Sequence, residues 1–409
     1  MIGRIKSFSF ILSHTTSNSY SPVFHHLTPP KCASFPPQPW SNHRLSSISS
    51  FHTSSVLLLN RFLFDPSEIN SFPNEEDDTN GSPWIPSVTL PKSDYRTIHA
   101  AKILNLQNGD KIRAGIVGEA SSDHHELNQR TTNHQDNGIR DISQGGVMTD
   151  DAIISWIPEG KIKKAQPTKN GEPPGSLQID FHSLSPPLDN NNNNHKSHTS
   201  RTPIFPSDYS VSLILALPRP LQLGRMLPMM AQMGVDHLVL TSAKKVPKDY
   251  FGSHLFRKPQ ELQHHLIEGL CQAGDVRLPK VTVVKRLKIF VEDELDSLFP
   301  SDQYAKVIAH PLRRTSRTMG KQGEEAPTDL RMRNIQFPEH CERPKLVIAV
   351  GPEGGWEEDY ELELFQSHGF EQVTLGNRIL RSDVAVVSLL SLAHDVCVDQ
   401  VYQHWNTKR

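Results

Sequence analysis

From about Ser207 onward, short continuous apolar runs alternate with segments whose apolar residues recur every three or four positions. That rhythm predicts strands at Ser210–Leu217, His237–Leu240, Lys280–Val284, Ala305–His310, Lys345–Val350 and Glu371–Leu375. It predicts helices between them at Leu221–Met233, Pro259–Ala273, Lys288–Leu298 and Glu357–His368, with Pro228 set to start or kink the first. A largely apolar segment, Ser382–Trp405, reads as a long helix with Ser382 at its N-cap. Strands apolar on both faces imply an α/β domain with a buried parallel sheet, and such sheets bind ligands at the carboxyl ends of their strands.

The preceding part of the chain is patterned differently. Ser93–Ala120 gives a short helix, a Gly109-Asp110 turn and an alternating strand over Lys111–Val117; further strands are expected at Ala152–Ile157 and Ser176–Phe181. Polar stretches at about 121–146 and 185–203, the latter with asparagine from Asn190 to Asn194, hold too little apolar surface to order themselves. They read as insertions in a small β domain spanning 93–206, with 65–92 as a linker and 207–409 as the α/β domain.

Composition adds the origin of the remaining segment. Residues 1–64 contain no Asp or Glu but recurrent Ser, Pro, Lys and Arg, as in an organelle-import presequence, and the Ser and Pro content leans toward chloroplast over mitochondrion. Across the whole chain 43 basic residues balance 45 acidic ones, so only local clusters can indicate a partner. No run of about 18 apolar residues offers a membrane span. Cys32, Cys271, Cys341 and Cys397 are too scattered for a zinc site or disulfide scaffold, which suits a reducing compartment, and His124-His125-Glu126 and His264-His265 lack ligand spacing. No metal or membrane partner is expected.

The chemistry concentrates after the strand Lys345–Val350, where the chain reads Gly351-Pro352-Glu353-Gly354-Gly355. A P-loop needs Gly-Lys-Ser/Thr entering the helix, and a dinucleotide fingerprint needs a different glycine spacing. Glu353, with Glu357, Glu358 and Asp359 following, repels a pyrophosphate and favours a neutral or cationic nucleoside. A tight strand-to-helix turn explains the glycines equally well on their own. A second strand–glycine–helix passage, Thr374–Ala385, carries Arg378 and Arg381, and two such loops could enclose one ligand.

The stretch Ile348–Ala393 closely resembles the carboxyl-terminal signature of the RsmE family, SPOUT-class methyltransferases acting on N3 of a uridine in small-subunit ribosomal RNA. The matching residues are Gly351 to Gly355, Gly369-Phe370, Leu375-Gly376 and Arg378 to Arg381; weaker similarity extends to Leu215–Leu240, Leu266–Val281 and Ser93–Val117. The resemblance implies a trefoil-knotted α/β domain preceded by a PUA-like β-barrel, S-adenosylmethionine as cofactor, and a homodimer. It places the cofactor among His310, Gly351, Glu353, Gly354, Gly355, Leu375, Gly376, Ile379 and Leu380. Arg381 would stabilise negative charge developing on the uracil carbonyls, and Asp383 would accept the N3 proton. The family's Thr-Glu-Thr is Ser382-Asp383-Val384 here, one methylene shorter at the acid. A basic segment with Arg313, Arg314 and Arg317, together with Arg378, is expected to meet RNA phosphates. The rival expectation is a non-catalytic RNA-binding or ribosome-assembly factor that retains the fold.

Overall fold

The computed structural model describes residues 61–70, 85–119, 146–160, 166–168, 170–185, 208–311, 331–339, 343–376 and 378–407. The polar stretch 121–145, most of 185–203 and the arginines Arg313, Arg314 and Arg317 lie outside the described residues.

Six strands form one wholly parallel sheet: β7 (Ser210–Ala216), β8 (His237–Thr241), β10 (Lys280–Val284), β11 (Tyr304–Ala309), β12 (Lys345–Val350) and β13 (Glu371–Val373), in the order β10-β8-β7-β12-β11-β13. The α/β expectation therefore stands. In β7 and β8 every residue is buried, which is why these strands read as unbroken apolar runs rather than alternating ones. The order is not the chain order. β12 inserts between β7 and β11, and β13 then pairs on the far side of β11, so all carboxyl ends gather along one edge with β11 between the two glycine loops.

The helix Pro220–Gln232 runs through Pro228, so Pro220 and not Pro228 supplies its first turn. At Pro228 it crosses the helix Pro259–Ala273 so closely that a Cβ on Gly269 would lie 2.1 Å from the Pro228 carbonyl oxygen. The helix Ser382–Thr407 starts differently from expectation: Ser382 is already helical and buried, while the Arg381 carbonyl accepts from the Ala385 N–H at 2.8 Å. This helix is long and apolar enough to cross a membrane by length and composition, contrary to the expectation that no segment is. Its buried residues, Val386, Leu389, Leu390, Ala393, Cys397 and Val401, recur at helical spacing and form a single stripe packed on β7 and β12.

A second, five-stranded sheet has the order β1-β3-β5-β6-β2, from β1 (Phe62–Phe64), β2 (Ser87–Leu90), β3 (Lys111–Ile116), β5 (Val147–Pro158) and β6 (Gly175–Asp180). Phe62–Phe64, assigned by composition to the presequence, is instead a fully buried strand parallel to β3, and Ser87–Leu90 falls within the supposed linker. The folded part thus begins before residue 64. The helix Tyr95–Lys102 is capped by Asp94, whose carboxylate accepts from Arg96 N–H at 2.8 Å. The Arg96 guanidinium also pairs with Glu68 and Asp94 and lies 5.0 Å from the Phe64 ring centre, which locks the β1 entry to the helix start. The two sheets are joined: β4 (Gly118–Glu119) pairs with β9 (Arg277–Leu278), and the Gln263 amide donates to Asp65 at 2.6 Å.

Candidate active site

A cleft of about 560 Å³ opens at the carboxyl edge of the parallel sheet. Its walls are the loop after β12, Gly351 to Gly355, and the loop after β13, Thr374 to Leu380, with His310 and Pro311 after β11 between them. Leu389 of the last described helix closes the depth. All nine residues expected to hold the cofactor line this one cleft, and Arg378, expected on the RNA side, lines it as well.

Local backbone chemistry shapes both walls. The Gly355 N–H donates to the Pro352 carbonyl at 2.7 Å, closing a tight turn, and Gly355 has φ +70°. Gly376 has φ +111°, a region that side-chain-bearing residues rarely enter, and its N–H donates to the Thr374 hydroxyl at 3.3 Å. Gly351 lies against Trp356, whose ring atoms would be 3.1 Å from an added Cβ. That buried indole packs at a tilt against Phe365, ring centres 5.0 Å apart, and backs the wall from behind. The floor is tied across strands: His310 N–H donates to the Val373 carbonyl and the Gln372 amide to the His310 carbonyl, both at 3.2 Å.

Glu353 has a partner. Arg219, directly after β7, stands 3.6 Å from its carboxylate, with both side chains at the solvent-facing rim. His310 Nε2 lies 3.5 Å from Glu358. Charged side chains alternate at the rim, and the lining combines glycine backbone and apolar side chains with His310 and Arg378, a composition suited to a nucleoside-sized ligand.

Arg381 and Asp383 do not line the cleft but flank residues that do. The Arg381 guanidinium donates to Asp383 at 2.6 Å and is itself largely in solvent. Asp383 also accepts from the Gln222 amide at 2.8 Å and its neighbour Val384 N–H at 2.9 Å. Burial alone would raise the Asp383 carboxyl, but the Val384, Gln222 and Arg381 donors together hold it below the usual carboxylate range. Such a carboxylate stays charged and is a weak base.

Residues 206–394 match the model of an RNA methyltransferase domain. The chain is 28% identical over 177 residues to a ribosomal RNA small subunit methyltransferase E of Treponema pallidum, which covers 43% of this chain and 59% of the relative. It is 23% identical over 176 residues to ribosomal RNA small subunit methyltransferase E 1 of Borreliella burgdorferi, 43% of this chain and 63% of that one. Over this region the chain is similar to the RsmE family. It spans less than two thirds of the length of these two relatives. Among solved structures, it is similar to the methyltransferase E of Neisseria gonorrhoeae bound to S-adenosyl methionine, at 15% identity and TM-score 0.45, covering 81% of this chain and 95% of that one.

Several residues around the site carry no signal in the two glycine loops. Arg219 and Gln222, at the start of the helix Pro220–Gln232, and Lys244 and Lys245, in the loop after β8, lie more than 100 residues before the residues they touch. Lys245 Nζ donates to the Gly354 carbonyl at 2.8 Å, and Lys244 pairs with Glu357. A basic residue three positions past each strand was the available clue: Arg219 after β7 and Lys244 after β8.

Proposed function

We propose that this protein transfers a methyl group from S-adenosylmethionine to N3 of a uridine in small-subunit, 16S-type ribosomal RNA. The observation that carries the reading is the single cleft into which all nine family-matched residues converge, with the Arg381–Asp383 pair at its edge. The cofactor would be held by Gly351 to Gly355 on one side and by Leu375, Gly376, Ile379 and Leu380 on the other, where glycine backbone is open to a ligand. When bound it supplies an electrophilic methyl carbon on a sulfonium. The residues of the chain position the acceptor base and balance charge. Arg381, reaching into solvent, neutralises the charge that builds on the uracil carbonyls as N3 loses its proton. The low basicity of Asp383 suits it to holding Arg381 in place, and the N3 proton leaves to water.

The same reading extends to the assembly and setting. The passage of β12 between β7 and β11, followed by β13 beyond β11, supports the trefoil knot. The five-stranded sheet supports the PUA-like domain, with its start moved from residue 93 to about 61. Ile379 is 86% exposed and Val384 48%, an uncovered apolar face beside the cleft that supports a homodimer completing the site. The acid-free amino-terminal composition supports import into an organelle, chloroplast before mitochondrion.

Incubating purified protein with labelled S-adenosylmethionine and unmodified small-subunit rRNA should give 3-methyluridine, identified by mass spectrometry of the digested RNA. Donor binding without methylation of any rRNA offered would favour the non-catalytic factor. Absence of donor binding would overturn both this reading and the assignment of the cleft.

A further inference from the structure

Glu361 is a carboxylate with only 2% of its surface exposed, placed one helical turn beyond the glycine loop. Its two oxygens face two different backbone N–H groups. Oε1 accepts from Lys244 at 2.6 Å, in the loop after β8, and Oε2 accepts from Glu357 at 2.9 Å, where the chain leaves the glycine loop. The turn that carries it, Glu358–Leu362, is a π-turn, and this extra residue per turn brings the Glu361 side chain back over the Glu357 N–H. Around this bridge, Lys244 pairs with Glu357 and the Lys245 stem lies 2.9 Å from a Cβ built on Gly354. The loop after β8 is therefore fastened to the glycine-loop wall at several points, and among the described residues Glu361 is the side chain that joins the backbones of both segments.

We infer that Glu361 is a positioning residue, setting the conformation of Gly354-Gly355 through the Lys244 and Glu357 amides and thereby the affinity for the methyl donor. The inference rests on the proposed donor-binding role of the cleft. Two acceptor oxygens are required because both partners are donors. A glutamine offers one oxygen and turns an amide N–H₂ against the other N–H. Leaving a buried donor unmatched loosens whichever loop it belongs to.

Glu361→Gln should raise the Kd for S-adenosylmethionine about tenfold by calorimetry, leave kcat at saturating donor within about twofold, and speed amide exchange at Gly354 and Gly355. Lys244→Pro removes the N–H on the other side of the bridge. The Val246 N–H to Ala243 carbonyl bond, 3.0 Å, puts Lys244 at the second position of a turn, where proline is accommodated. Its effect should match that of Glu361→Gln, and the double variant should be no weaker than either. Glu363→Gln removes an exposed acid two residues on and should bind donor within about twofold of the unsubstituted protein. Unchanged donor affinity and unchanged loop exchange in a folded Glu361→Gln protein would overturn the inference, as would additive losses in the double variant. If the unsubstituted protein binds no donor, the reading of the cleft fails, while the exchange measurement still decides whether Glu361 shapes the loop.

Discussion

The Arg381 guanidinium is anchored 2.6 Å from the Asp383 carboxylate, two residues along the same chain, with its remaining N–H groups turned to solvent at the edge of the cleft. A cation held at its root and free at its tip is placed to meet charge on an incoming base. Arg381→Ala should lower the methylation rate by about 10²-fold or more, while donor affinity changes less than threefold. Single-turnover rates and calorimetry on the same preparation separate the two effects, and equal losses would assign Arg381 to the cofactor instead.

Asp383 gives a pH signature. Its folded carboxyl is held below the ordinary value, so its contribution to stability is fully present above the usual carboxylate range and disappears as pH falls through and below that range. The stability difference between the unsubstituted protein and Asp383→Asn, from urea unfolding, should be constant from about pH 7 to 5 and shrink below about pH 4. A difference that instead grew with acid would contradict the depressed value.

A second titration lies away from the site. His237 is buried beside Phe299 and hydrogen-bonded to Thr282 at 2.8 Å; burial, with Lys280 adding to it, pushes its pKa down to about 4. The unfolded chain takes up a proton near pH 6.5 that the folded chain refuses. Stability should therefore fall between about pH 6.5 and 4, by at most about 3 kcal/mol from this residue. His237→Gln should flatten that slope in denaturant titrations across the same range.

Much of this architecture could be read from residue order. The limits of β10, β12 and the helix Pro259–Ala273 agree with the pattern to the residue; β12 does so because an almost wholly buried strand between polar loops leaves an unmistakable apolar run. β1 could not be read that way. Three apolar residues behind an acid-free stretch look like the stretch they follow, and their partner strand lies some 50 residues on. The cleft residues were legible because glycines mark the backbone that bends around a ligand. Arg219 and Gln222 were not, because the fold rather than sequence proximity brings them to the site, and Glu361, close to the glycine loop in sequence, meets its second partner, Lys244, only through the fold.

Gly376 offers a backbone test. No atom lies within 4 Å of a Cβ built there, so space is not the obstacle; φ +111° is. Gly376→Ala should cost on the order of 1–3 kcal/mol in loop conformation. It should weaken donor binding at least tenfold, with a melting temperature within about 3 °C of the unsubstituted protein, read by calorimetry and thermal unfolding.

The exposed face beside the cleft predicts an assembly effect. Ile379→Asp and Val384→Asp each set a charge on the apolar patch. Each should convert a dimer to monomer in sedimentation velocity at micromolar concentration, and methylation should fall with the dimer fraction. Sedimentation of the unsubstituted protein as a monomer would overturn the proposed homodimer, and a dimer unchanged by both substitutions would place its contact elsewhere.

The position of β12 carries a consequence for synthesis. β7 and β11 emerge from the ribosome well before the strand that belongs between them, so their facing edges stay open until Lys345–Val350 arrives. A nascent chain in that interval presents two apolar strands with unpaired backbone, the form most prone to mispairing with another copy. The arrival of β12 closes both facing edges, and chaperone demand during translation should fall once it has emerged, with β13 still to cover the far edge of β11.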